Sequence, residues 1–168
     1  MTPQSRNGRR MRIDLAAAML RSGDAHAVLH SVEPLMDQKL TNRRILLVED
    51  DMDTQELLRT VLEQHGAEVI AVESSTRALA EFSRKRPDLI ISDIGMVGEN
   101  GYDFIRRIRS LSRDEGGHIP AIALTAYAGV SDRRRALLAG FQTHLAKPVE
   151  PADLVAVILS LTFSPGER

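Results

Sequence analysis

The sequence contains no cysteine and no tryptophan, and only four phenylalanines and two tyrosines among its 168 residues. Without cysteine there are no disulfides, no thiolate metal ligands and no Cys nucleophile, so a small secreted disulfide scaffold is excluded. Neither sign of charge dominates: 22 Lys and Arg face 23 Asp and Glu, for a formal net charge of -1. No global field recruits nucleic acid or an acidic membrane. Long apolar runs are missing too. The basic N-terminus carries one short, mild stretch, broken by Asp14, that is unsuited to a signal or spanning helix. The expectation is a cytoplasmic protein with no membrane and no nucleic-acid partner.

What is present, 43% hydrophobic and 27% charged residues, suits an ordinary globular domain with a sizeable core plus an appendage. Two weak helical patterns come first, Ile13, Ala16, Ala17 and Leu20, then Ala25, Val28, Leu29 and Val32, with Pro34 to end them. Residues 1–42 therefore read as an N-terminal extension, weakly helical or disordered, either a loose tail or a docking pair. A homodimer is one assembly this leaves open.

From Arg43 the pattern becomes regular. Short apolar runs at Ile45–Val48, Ala67–Val72, Leu89–Ser92, Ala121–Leu124 and Gln142–Ala146 alternate with amphipathic stretches. The helices are expected over Asp53–His65 (Leu57, Leu58, Val61 and Leu62 inward), Ser75–Lys85, Tyr102–Leu111, Ser131–Ala139 (capped by Ser131) and Ala152–Leu161. Apolar strand runs without two-residue alternation indicate a parallel sheet covered by helices on both faces, an α/β doubly wound fold. Residues 43–163 form this domain, and 164–168 a short tail.

Ligands of such sheets bind beyond the carboxyl ends of the strands. There stand Glu49, Asp50 and Asp51 after the first strand, Asp93 after the third, Thr125 after the fourth and Lys147 after the fifth. Each has an ordinary reading alone. Asp50 or Asp51 can cap a helix, Asp93 can form a turn with Gly95, Thr125 is a β-branched strand residue, and Lys147 can be a solvated lysine. Together they crowd carboxylates that repel one another. A hard divalent cation relieves that repulsion, since Mg²⁺ accepts one or two carboxylates and a phosphate while keeping waters.

Four separated segments, ILLVEDD (45–51), LIISDIGM (89–96), AIALTAYA (121–128) and HLAKPVE (144–150), carry a resemblance to the receiver domain of two-component response regulators. It implies a flavodoxin-like (βα)5 fold with strand order 2-1-3-4-5. It also implies that Asp93 is the phosphoacceptor and that Glu49, Asp50, Asp93 and the Gly95 carbonyl hold Mg²⁺ or Mn²⁺. Thr125 resembles the switch hydroxyl, Lys147 the lysine that pairs with phosphoryl oxygens, and Lys147-Pro148 a cis peptide. The implied donor is a phosphohistidine on a sensor histidine kinase or phosphotransfer protein. The output is a helix 4–strand 5–helix 5 face for a downstream protein partner, including Arg133, Arg134, Arg135 and Phe141. Phosphorylation and dephosphorylation would be self-catalysed, so the protein is not an enzyme in the ordinary sense.

The chain departs from the family in two places. Val97 stands where proline is frequent, so a looser loop is expected over residues 97–101. His144 occupies the aromatic switch position, and is expected to reorient inward as Thr125 moves. The enzymatic rival is a Mg²⁺-dependent aspartyl-phosphate phosphatase of haloacid dehalogenase type, but Asp51-Met-Asp53-Thr54 places threonine one residue early and no cap domain is evident. No glycine-rich loop carries the Lys-Ser/Thr of a P-loop. A non-phosphorylated receiver-like scaffold uses the same fold. Phosphotransfer through His26 or His30 lacks any supporting motif. Little sequence follows Phe163, which suggests a stand-alone receiver or the receiver end of a hybrid kinase.

Overall fold

A computed structural model describes residues 40–98, 100–126 and 129–162. The expected N-terminal helices with His26 and His30, and the tail from Phe163, lie outside the described residues. Five strands alternate with five helices: β1 (Arg44–Val48), α1 (Met52–Gln64), β2 (Glu68–Val72), α2 (Ser75–Lys85), β3 (Leu89–Asp93), α3 (Gly101–Arg109), β4 (Ala121–Thr125), α4 (Val130–Ala139), β5 (Thr143–Ala146) and α5 (Pro151–Thr162). All strands are parallel, in the order β2-β1-β3-β4-β5. The doubly wound fold expected from the sequence is the one observed.

The unbroken apolar strand runs follow from burial on both faces. Leu46, Val48, Ile90, Ala121 and Ala123 pack with Phe82 of α2, Phe104, Ile105 and Ile108 of α3, and Ala136 of α4. Ile45, Leu47, Leu89, Ile91, Ile122 and Leu124 pack on the other face with Leu58 and Leu62 of α1 and Leu154 and Ile158 of α5. Successive strand side chains thus enter opposite cores. Leu40, before the first strand, is also fully buried on the α1–α5 side, and its N–H donates to the His65 carbonyl.

Helix starts are closed by short polar side chains. Asp51 Oδ1 accepts from Thr54 N at 2.8 Å, Ser74 Oγ from Arg77 N at 3.3 Å, and Asn100 Oδ1 from Tyr102 N at 2.9 Å. α4 differs from expectation. Its cap is Gly129, without a side-chain cap bond, and Ser131 lies inside the first turn. Two further expectations fail on packing. Leu57 points outward at 56% exposure, because the inward stripe of α1 runs through Leu58, Val61 and Leu62. Phe141 is buried in the core beneath α4, so it cannot belong to an exposed output face. Among the described residues no helix is long and apolar enough to cross a membrane.

Candidate functional site

Strand register brings the rim residues together. Val48 pairs with Ser92, so Glu49 and Asp93 emerge side by side from β1 and β3. Asp93 pairs with Leu124 and Thr125 with Ala146, so Thr125 closes β4 and Lys147 leaves β5 just beyond it. A slip of one residue in any pair would turn these side chains to the opposite face.

Lys147 is the centre of the cluster. Its ammonium donates to Asp93 Oδ2 at 2.9 Å and forms an ion pair with Glu49 Oε2 at 2.8 Å. Burial lowers the affinity of Lys147 for its proton, but the hydrogen bonds and charges of Glu49 and Asp93 outweigh this and raise its pKa. It stays a cation. Glu49 is fully buried, and that burial raises its pKa against the opposing pull of Lys147 and the Asp51 N–H, which Oε1 accepts at 3.1 Å. The lysine approaches from a peptide bond to Pro148 that is cis, as the resemblance implied.

Asp93 is held from both sides. Oδ1 accepts the Gly95 N–H at 2.9 Å, while Oδ2 accepts Lys147. Behind it, the start of α3 lies so close that a Cβ on Gly101 would come within 2.5 Å of the Asp93 carbonyl oxygen. Only glycine lets the helix approach that strand end. Asp50 and Asp51, indistinguishable by position alone, divide their roles. Asp51 caps α1, whereas Asp50 Oδ2 accepts the Val97 N–H at 2.9 Å across the cleft. At Val97 the loop is therefore tied to β1's end rather than loosened, through an N–H that proline would lack. Sequence reading missed this tether, because a backbone donor leaves no mark on residue type.

One oxygen from each of Glu49, Asp50 and Asp93 lies within 4.8 Å of the others. Opposite ligands of an octahedral Mg²⁺, with bonds of about 2.1 Å, stand about 4.2 Å apart. Three carboxylates stand against one ammonium, so two negative charges are left uncompensated. The donor set is all oxygen. The residues present thus fit a hard divalent cation.

Thr125 is buried at the last position of β4, and His144 is half-buried on β5. His144 pairs with Ala123, two residues before Thr125, so both side chains face the same side of the sheet. Burial, and secondarily the nearby Arg133 guanidinium, lower the His144 pKa, with Asp132 opposing. Arg135, though exposed, stacks over the Tyr102 ring, 4.8 Å from its centroid. The dehalogenase-type arrangement finds no support: Asp51 caps α1 while Asp53 and Thr54 sit in its first turn.

Comparison with known proteins agrees with this geometry. Residues 45–159 match the model of the response regulator receiver domain. The chain is 42% identical to a 14.6 kDa protein from the sodA1 3′ region of Leptolyngbya boryana, covering 76% of this chain and 98% of that one. It is 38% identical to the KDP operon transcriptional regulatory protein KdpE of Escherichia coli over 67% of this chain, and spans 48% of that regulator's length. Among solved structures, the receiver domain of sensor histidine kinase PA1611 from Pseudomonas aeruginosa, with a magnesium ion coordinated in its active site cleft, is 34% identical with a TM-score of 0.65, covering 71% of this chain and 97% of that one. The chain belongs to the response regulator receiver domain family.

Proposed function

We propose that this receiver accepts a phosphoryl group on Asp93 from the phosphohistidine of a sensor histidine kinase or phosphotransfer protein, with a divalent ion, Mg²⁺ or Mn²⁺, held by Glu49, Asp50, Asp93 and the Gly95 carbonyl. One observation carries the reading: the Lys147 ammonium lies within 2.9 Å of oxygens of both Glu49 and Asp93 at the rim of the sheet. Asp93 attacks phosphorus through a carboxylate oxygen, the P–N bond breaks, and the departing imidazole keeps the electron pair. No proton need leave Asp93. Lys147 donates to the phosphoryl oxygens, and the backbone at Gly95 and Gly101 keeps the carboxylate in line, so catalysis is mostly positioning. Bound there, the cation supplies Lewis-acid neutralisation of charge on the transferring group.

Thr125 then donates its hydroxyl proton to the new phosphoryl group, and His144 follows inward on the same face. The response is read on the face of α4, β5 and α5 by a downstream protein partner. Moving a population from mostly inactive to mostly active requires ~5.5 kcal/mol of differential stabilisation. One charge-assisted hydrogen bond contributes ~1.5–3 kcal/mol, so Lys147, Thr125 and the cation act together. Intact-mass measurement after incubation with acetyl phosphate and Mg²⁺ tests the reading. The wild type is expected to gain one phosphate-sized mass, and Asp93→Asn none. A wild type that stays unmodified sinks the proposal.

A further inference from the structure

The three carboxylates of the cleft are not held alike. Glu49 is fixed by the Asp51 N–H on Oε1 and by Lys147 at Oε2. Asp93 is fixed by the Gly95 N–H on Oδ1 and by Lys147 on Oδ2. Both are buried, whereas Asp50 is half-buried. Among the described residues Asp50 forms no ion pair, and its carboxylate accepts one hydrogen bond, from the Val97 N–H to Oδ2 at 2.9 Å. The donor lies 47 residues further along the chain, in the loop between β3 and α3.

A half-exposed carboxylate that nothing holds samples several rotamers. A site competent for only part of the time binds more weakly by that fraction. Carboxylates that ligate metals are themselves hydrogen-bonded, and loss of such a partner costs about 10–100-fold in affinity. We propose, on the reading that Glu49, Asp50 and Asp93 hold a divalent ion, that Val97 is a positioning residue for that ion, its main-chain N–H holding Asp50 in the ligating orientation. The role belongs to the backbone, since the Val97 side chain is 90% exposed. Proline, frequent at this position in the family, has no N–H to offer. The tether is thus a feature of this chain rather than of receivers in general.

A bond to a ligating carboxylate can also compete, if Asp50 must release Val97 to reach the cation. The geometry favours orientation. With the tether in place, one oxygen from each of the three carboxylates already lies within 4.8 Å of the others. The two cases differ in sign, because coupling between equilibria is reciprocal. A cation strengthens a bond that orients its ligand and breaks one that competes.

The test uses the full chain, with Mg²⁺ affinity read by titration calorimetry and exchange of the Val97 amide proton read by NMR. Wild type and Val97→Ala, which keeps the N–H, are expected to bind Mg²⁺ alike, and Val97→Pro about tenfold or more weakly. Proline also restricts the residue before it, so circular dichroism checks the fold and the exchange measurement needs no proline. In metal-free protein, Asp50→Ala should speed Val97 exchange about tenfold, the loss of one hydrogen bond to a charged group. Adding Mg²⁺ to the wild type should slow it. The proposal is overturned by Val97→Pro binding as tightly as wild type or tighter, by Val97→Ala losing affinity, by exchange indifferent to Asp50→Ala, or by Mg²⁺ that speeds exchange or leaves it unchanged. A wild type that binds no Mg²⁺ overturns the cation reading together with this one, whereas normal wild-type binding with an indifferent Val97→Pro overturns the positioning role alone.

Discussion

His144 sits half-buried on β5, its pKa lowered by burial and by Arg133. The unfolded chain therefore takes up this proton at higher pH than the folded one. Stability from this group is complete above the ordinary value of 6.5 and declines as pH falls through it. Urea midpoints measured from about pH 8 to about pH 5 should fall less steeply for His144→Gln than for the wild type. Superimposable pH profiles would remove His144 from the account. The same scale shows what residue type conveys. Asp93 and Lys147 drew notice because carboxylates and an ammonium gather at strand ends, while the roles expected of them came from the resemblance to receiver domains. The Val97 tether was invisible because the bond uses a main-chain N–H that almost any residue supplies.

At the scale of elements, α3 begins directly against the end of β3. Alanine would improve helix propensity at Gly101 by at most about 1 kcal/mol. Its Cβ would meet the Asp93 carbonyl oxygen at 2.5 Å and Ile94 Cα at 2.7 Å, both backbone atoms that cannot swing aside. Overpacking of this kind costs about 1–3 kcal/mol, so the clash wins. Gly101→Ala should lower stability by about 1–2 kcal/mol in urea unfolding, and an unchanged or raised midpoint would refute the close approach. Elsewhere the elements were largely legible, since hydrophobic periodicity is a local property. The start of α4 was not. Ser131 has the right chemistry for a cap, but the turn closes two residues earlier at Gly129. Leu57 misled for a related reason: an apolar residue near the stripe is not thereby on it.

Over the whole molecule, the acidic cleft draws on β1 and β3, which are adjacent only in the folded sheet. A cation held there binds the native state and not the unfolded chain. At about a hundredfold excess over its Kd, Mg²⁺ should stabilise the wild type by about 2.7 kcal/mol. Denaturant midpoints with and without Mg²⁺ measure this, and Asp50→Asn should lose most of the gain. A wild-type midpoint indifferent to Mg²⁺ would show that the carboxylates tolerate one another unaided. The same rim tells why α/β sheets place chemistry at the carboxyl ends of strands. The central strands β3 and β4 are buried along their whole length, and Asp93 and Thr125 stand at their last positions, where side chains first meet the rim.

The sequence alone determined the alternation of elements, the doubly buried sheet and the identity of the residues at and just beyond the strand ends. These depend on side-chain polarity and spacing within a few positions, which any single segment displays. Only the tertiary structure decided that Lys147 bridges Glu49 and Asp93, that Asp51 caps a helix while Asp50 reaches Val97, and that Phe141 turns inward. Asp50 and Val97 are 47 residues apart in the chain, and Lys147 and Asp93 are 54. Contacts at such separations are set by strand register and helix packing, which no local pattern encodes.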